Sequence, residues 1–215
     1  MAYDRAAGVM SSVPRSLQAT DPAAVRAVAA RRRAAPSGWW GMLLLIGTEA
    51  TLLAALVATY WYLRFRATSW PPPGVPEPKV VLPLILLGVL LATSIPMQAA
   101  ARAARTGRLS ATRSLLILAL LVQAGYLAVQ IVELRLDLLD FSPTRTAYGS
   151  AYFAMVVAHH VHVAVGLALS LGMLGRLLGG LTEYRTIGVR AITLYWHFVN
   201  VMAIVVVLTQ ISAAL

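Results

Sequence analysis

A chain of 215 residues with 59% hydrophobic and only 12% charged residues carries about half the charge expected of a soluble domain of its size. Its mean hydropathy of +0.74 comes from long apolar runs, which marks an integral membrane protein and excludes an ordinary soluble enzyme. The absence of cysteine excludes structural disulfides, iron–sulfur clusters and thiolate copper sites. The net charge of +10 reads as arginine flanking membrane spans rather than as a nucleic-acid surface.

Residues 1–38 form a polar, basic N-terminal tail that includes Arg31, Arg32 and Arg33. It holds no apolar core followed by a cleavage site, so no signal peptide is expected. Its Ala-rich stretch from Ala23 to Arg33 predicts a short surface helix. Five segments then have the length and apolarity to cross about 30 Å of hydrocarbon. They cover about 39–63, 80–101, 114–134, 149–174 and 189–211, so the fold class is all-α, a polytopic protein with five transmembrane helices. Trp39 and Trp40 open the first span, and Tyr60, Trp61 and Tyr62 close it, as an aromatic belt would. The connector after it, RFRATSWPPPGVPEPK, predicts a stiff extended segment.

Arginine placement sets the expected orientation. With the N-terminus in the cytoplasm, the inner side holds Arg5, Arg15, Arg26, Arg31, Arg32, Arg33, Arg102, Arg105, Arg108, Arg113, Arg176, Arg185 and Arg190. The outer side then holds only Arg64, Arg66, Lys79, Arg135 and Arg145, together with the acidic Glu133, Asp137 and Asp140. The expectation is a cytoplasmic N-terminus and an outer C-terminus.

Glu49 is the outlier, ten residues and about 15 Å into the first span. Such a carboxyl must stay protonated or find a partner, and Thr48 and Thr51 are candidates for hydrogen bonds. It either bridges two helices or serves a proton or lipid-headgroup role. All four histidines, His159, His160, His162 and His197, lie in the last two spans. Helical spacing puts His159 and His162 on one face and His197 and Asn200 on another, with Glu49 as a further member of a polar seam. Gly166, Gly172 and Gly175 are small residues that allow close helix contact.

Two metal sites are arithmetically possible: a heme between His162 and His197, and zinc on His159, His162 and Glu49. Both are weak signals. A catalytic heme–copper core is excluded, because it needs six histidines over several helices and this chain has four on two.

These residues, taken together, resemble subunit III of the heme–copper terminal oxidases in its short five-span form. WWGMLLLIGTEA, from Trp39, is similar to the family's first core helix, with Glu49 in the place of its membrane-buried glutamate. QIVE, ending at Glu133, is similar to Q-x-x-E-Y, with Leu134 in the aromatic position. YGSAYF, from Tyr148, is similar to Y-G-S-x-F-F. His159 and His162 fit the F-H-G-L-H stretch, where His160 replaces a glycine. YWHFVN, at Tyr195 to Asn200, is similar to Y-W-H-F-V-D, with Asn200 in place of aspartate. The resemblance covers about Pro36 to Leu215, and its loss of two leading helices preserves the orientation read from arginine.

The resemblance implies an accessory subunit of a proton-pumping cytochrome c oxidase in a bacterial plasma membrane, at work in aerobic respiration. Such a subunit carries no heme, copper or catalytic residue of its own; the heme and copper lie in partner subunits. It packs against subunit I, with subunit II and small subunits nearby. It also binds phospholipids in a V-shaped cleft, here expected between a bundle of spans one and two and a bundle of spans three to five. Glu49, Glu133, His159, His162, His197 and Asn200 are the residues that would line the cleft or support proton uptake and sustained turnover. A subunit III-like partner of a quinol oxidase or nitric oxide reductase is the alternative. A small membrane cytochrome b and a transporter are further ones, with Pro83 and Pro96 the only hint of a broken transporter helix.

Overall fold

A computed structural model describes residues 37–214, and the helix expected over Ala23 to Arg33 lies outside them. Within that range the structure is all-helical: α1 (Ser37–Arg66), α2 (Val81–Ala92), α3 (Ser94–Arg105), α4 (Leu109–Asp140), α5 (Ala147–Leu177) and α6 (Glu183–Ile211), closed by a short 3-10 turn. They make five candidate membrane spans, with α2 and α3 together forming the second. Each span has 25 to 32 residues, and even the shortest is long enough to cross roughly 30 Å of hydrocarbon. The proline-rich connector is non-helical from Ala67 to Val80, as its composition requires.

The apolar surface is disposed unevenly. Of the most apolar window of the first span only 6% is buried, against 61% for the fifth. Spans two, three, four and five close a ring in chain order, each packed on the next, with span five returning to span two. Among the described residues no Cα of α1 comes within 8 Å of a Cα in another helix. The all-helical, five-span class stands as expected, and the closest backbone packing of span two is with spans three and five. The reason lies in side-chain size. Ala100, Ala101, Ala103 and Ala104 are buried along α3 and let neighbouring backbones approach, whereas α1 meets its neighbours through the large buried side chains of Leu53 and Tyr60.

Span two is also less regular than its sequence suggested. Pro96 has no N–H to give Ala92, and the helix breaks at Thr93. The Thr93 hydroxyl turns back to the Leu90 carbonyl at 2.6 Å and accepts the Gln123 amide of α4 at 3.2 Å. One residue on, the Asn200 side-chain amide of α6 donates to Ser94 Oγ at 2.7 Å. The Thr193 hydroxyl of α6 donates to the Met97 carbonyl at 3.3 Å. Pro96 therefore lies three residues past a buried break that spans three and five both hold.

The contact between α5 and α6 is organised by Trp196. Its ring is fully buried and its indole N–H donates to Ser170 Oγ at 2.9 Å. Gly166 makes room for it: a Cβ there would meet the ring at 2.8 Å. Gly172 and Gly175, expected to serve the same purpose, face open space. The first span's aromatic belt divides as well. Trp40 and Tyr62 are exposed, while Tyr60 is fully buried against Trp70 and Tyr148 at ring separations of 5.2 and 6.3 Å.

Gly166→Ala should lower thermal stability in detergent by about 1–3 kcal/mol, because the overlap with Trp196 outweighs the gain in helix propensity. Gly172→Ala should leave it unchanged or raise it. Asn200→Leu should cost about 1 kcal/mol by removing the donor to Ser94, and thermal unfolding followed by circular dichroism measures all three.

Candidate functional site

The carboxyl of Glu49 ends next to an imidazole. Glu49 Oε2 lies 2.9 Å from His162 Nε2, across the gap between α1 and α5. The other ring nitrogen, Nδ1, lies 2.5 Å from the Ala158 carbonyl one turn back. A carbonyl oxygen only accepts, so Nδ1 carries a proton. Nε2 then either accepts a proton from a neutral Glu49 carboxyl or, as imidazolium, donates to the carboxylate. In both forms the pair shares one proton and shows the hydrocarbon no isolated charge. Thr48 and Thr51, the partners suggested by sequence, instead bond to the Leu45 and Thr48 carbonyls of their own helix at 2.8 and 2.7 Å.

The pair sits on the wall of a groove of about 250 Å³ lined by Leu45, Leu52, Val161, Val165 and Tyr195. That lining is apolar apart from the pair and the Tyr195 hydroxyl, which donates to the His162 carbonyl at 3.0 Å. The rest of the first span's attachment is also made by side chains. Arg64 Nη1 donates to Ser212 Oγ at 2.5 Å near one end, and Arg190 lies over the Trp39 ring at 5.5 Å near the other.

The remaining residues named from sequence do not join Glu49 in one seam. His197 lies 3.4 Å from Gln98 and Asn200 bonds Ser94, so both face span two, as their shared helical face requires. His159 and His162, expected on one face, diverge: His159 Nε2 lies 3.4 Å from the Tyr126 hydroxyl of α4, while His162 turns to α1. Residues three apart on a helix are offset by about 60°, and because α4 and α1 lie on different sides of α5 that offset gives the two rings different neighbours. His159, His162 and Glu49 therefore do not converge as a zinc site, nor His162 and His197 as a heme pair. Among the described residues no group of three or more His, Asp or Glu side chains is placed to hold a metal ion.

Glu133 pairs with Lys79 at 2.7 Å, and Lys79 also reaches Asp137 at 3.5 Å. The hydrogen bond to Glu133, opposed in part by burial, holds the Lys79 ammonium above the ordinary lysine range. Asp137 further accepts the Tyr152 hydroxyl at 2.7 Å, which accepts from Gln210 at 2.7 Å. Lys79, Asp137, Tyr152 and Gln210 were not singled out from sequence. The available signal was the spacing of Glu133 and Asp137, four residues apart on one helical face, with the chain's one lysine in the first connector.

The profile of the family "Cytochrome c oxidase subunit III" matches residues 32–211. The cytochrome c oxidase subunit 3 of Bacillus subtilis is 31% identical over 168 residues, covering 77% of this chain and 79% of its own. That of Synechocystis sp. is 29% identical over 168 residues, covering 77% of this chain and 71% of its own. The cytochrome bo(3) ubiquinol oxidase subunit 3 of Pseudomonas aeruginosa is 27% identical over 169 residues, covering 78% and 80%. With a five-span helical architecture and a family match over residues 32–211, the chain belongs to the cytochrome c oxidase subunit III family.

Proposed function

We propose that this chain is the redox-inactive accessory subunit of a proton-pumping cytochrome c oxidase in a bacterial plasma membrane, with its basic N-terminal tail (residues 1–38) in the cytoplasm and its C-terminus outside. It packs against the catalytic subunit I, beside subunit II and small subunits. It holds phospholipid in the groove between its first span and the other four. Electrons do not pass through it. Its work is to keep proton delivery to the catalytic subunit running through many turnovers.

One observation carries this reading: Glu49 and His162 meet at 2.9 Å on the wall of an otherwise apolar groove. An acyl chain fits apolar walls, and a proton-sharing pair in such a wall holds the groove open at a defined width without exposing a charge. Glu133, His159, His197 and Asn200 act around this centre by fixing the connectors and the ring of spans two to five. A quinol-linked oxidase is the second reading, favoured by the similarity to the Pseudomonas aeruginosa ubiquinol oxidase subunit.

Gentle solubilisation should bring the chain down with a heme-bearing catalytic subunit, identified by mass spectrometry. The isolated chain should show no Soret band. Oxidation of reduced cytochrome c by the complex supports the first reading, and oxidation of quinol alone supports the second.

Glu49→Ala should leave the heme content of the assembled oxidase unchanged while shortening its active lifetime several-fold in oxygen-consumption traces. Glu49→Gln keeps a hydrogen bond to His162 but cannot carry a carboxylic proton. It should assemble as the wild type does and fail in sustained turnover as Glu49→Ala does. A full active lifetime in both variants would remove the pair from the function.

A further inference from the structure

A second polar region lies inside the ring formed by spans two to five, at the end that carries the first and third connectors, apart from the groove at Glu49. A cavity of about 90 Å³ there is lined by side chains from all four spans, among them Leu86, Tyr126, Val156, His159, His160 and Val207. His159 and His160 are among the buried residues, at 2% and 8% exposure, and the Nδ1 of each has no hydrogen-bond partner among the described residues. The Tyr126 hydroxyl accepts from Gln130 at 2.9 Å, so its single proton is free for His159 Nε2 at 3.4 Å. His159 Nδ1 is then an N–H donor with nothing to receive it.

Two buried imidazole nitrogens without partners are costly unless something polar reaches them. The space is sufficient. A water needs about 10–15 Å³ of such volume and two to four polar partners, and here both conditions are met several times over. Tyr126, Gln130, Tyr152 and Gln210 supply further polar groups along the way. The mouth is acidic: Glu77, Glu133, Asp137 and Asp140 line it against the single ammonium of Lys79. Lys79 is committed to Glu133 and Asp137, which leaves Glu77 and Asp140 without an ion-pair partner among the described residues.

We propose that this cavity is a water-filled, cation-selective bay, open at the first and third connectors, through which water, protons and small cations reach the His159–His160 pair. It is separate from the groove at Glu49, so it stands whether or not that groove holds lipid. Bound water accepts from the imidazole N–H groups and donates to the acceptor nitrogens, and the acidic rim concentrates cations at the entrance.

The chain has no cysteine, so a single introduced thiol reports on access directly. His160→Cys is placed in the assembled oxidase in sealed vesicles and treated with membrane-impermeant thiosulfonates, one cationic and one anionic. Val207→Cys lines the same cavity from span five and serves if the first variant fails to assemble. Val157→Cys is the control, half a turn to one turn nearer the connectors but on an exposed apolar face of α5. The expected result is labelling of the cavity thiols from the connector side. The cationic reagent should react about tenfold faster than the anionic one, and Val157→Cys should stay unlabelled. No labelling of either cavity thiol, labelling only from the opposite side, or a rate indifferent to reagent charge would overturn the proposal.

Discussion

A carboxyl group placed midway through hydrocarbon must keep a proton or share one, and the position of the first helix follows from how Glu49 does so. His162 is held in the required orientation by its own helix, through the carbonyl of Ala158, and so offers a fixed nitrogen to α1. No backbone-to-backbone packing competes with that contact, because α1 keeps its Cα atoms more than 8 Å from the other helices. Elsewhere in the bundle small residues set the spacing; here larger side chains do, the polar pair together with buried Leu53 and Tyr60. The gap they span is the groove.

The other four spans obey a different rule. They approach closely where alanine and glycine permit, and they pin one another through single hydrogen bonds at the places where a helix is imperfect. The break at Thr93 is the main case. There the Thr93 and Ser94 hydroxyls receive the Gln123 and Asn200 amides from two directions. The Asn200 contact needs an N–H donor to Ser94, which an amide supplies and an ionised carboxylate would not.

Much of this was legible in the sequence. Five apolar runs gave five spans, the buried glutamate stood out by depth alone, and the spacing of His197 and Asn200 correctly placed them on one face. Three matters were not legible. Glu49 took its partner from a residue 113 positions away, while nearby Thr48 and Thr51 turned back to their own helix. Spacing cannot decide between a local and a distant acceptor, because both satisfy the same group. His159 and His162 look like neighbours on a helical wheel, but with a different helix on each side of α5 a rotation of that size changes the partner. The third was how closely the spans approach: apolar periodicity does not show that the first span meets its neighbours through side chains alone.

The thin attachment of α1 has a consequence for how the protein comes together. Spans two to five form a closed ring by backbone packing, and the first helix adds no Cα within 8 Å of it. The first helix is joined to them by side chains: the Glu49–His162 pair, the Arg64–Ser212 bond, aromatic edges near its ends and the apolar packing of buried Leu53 and Tyr60. Moving the first helix outward breaks side-chain contacts alone, whereas parting any two neighbours in the ring also breaks close backbone packing.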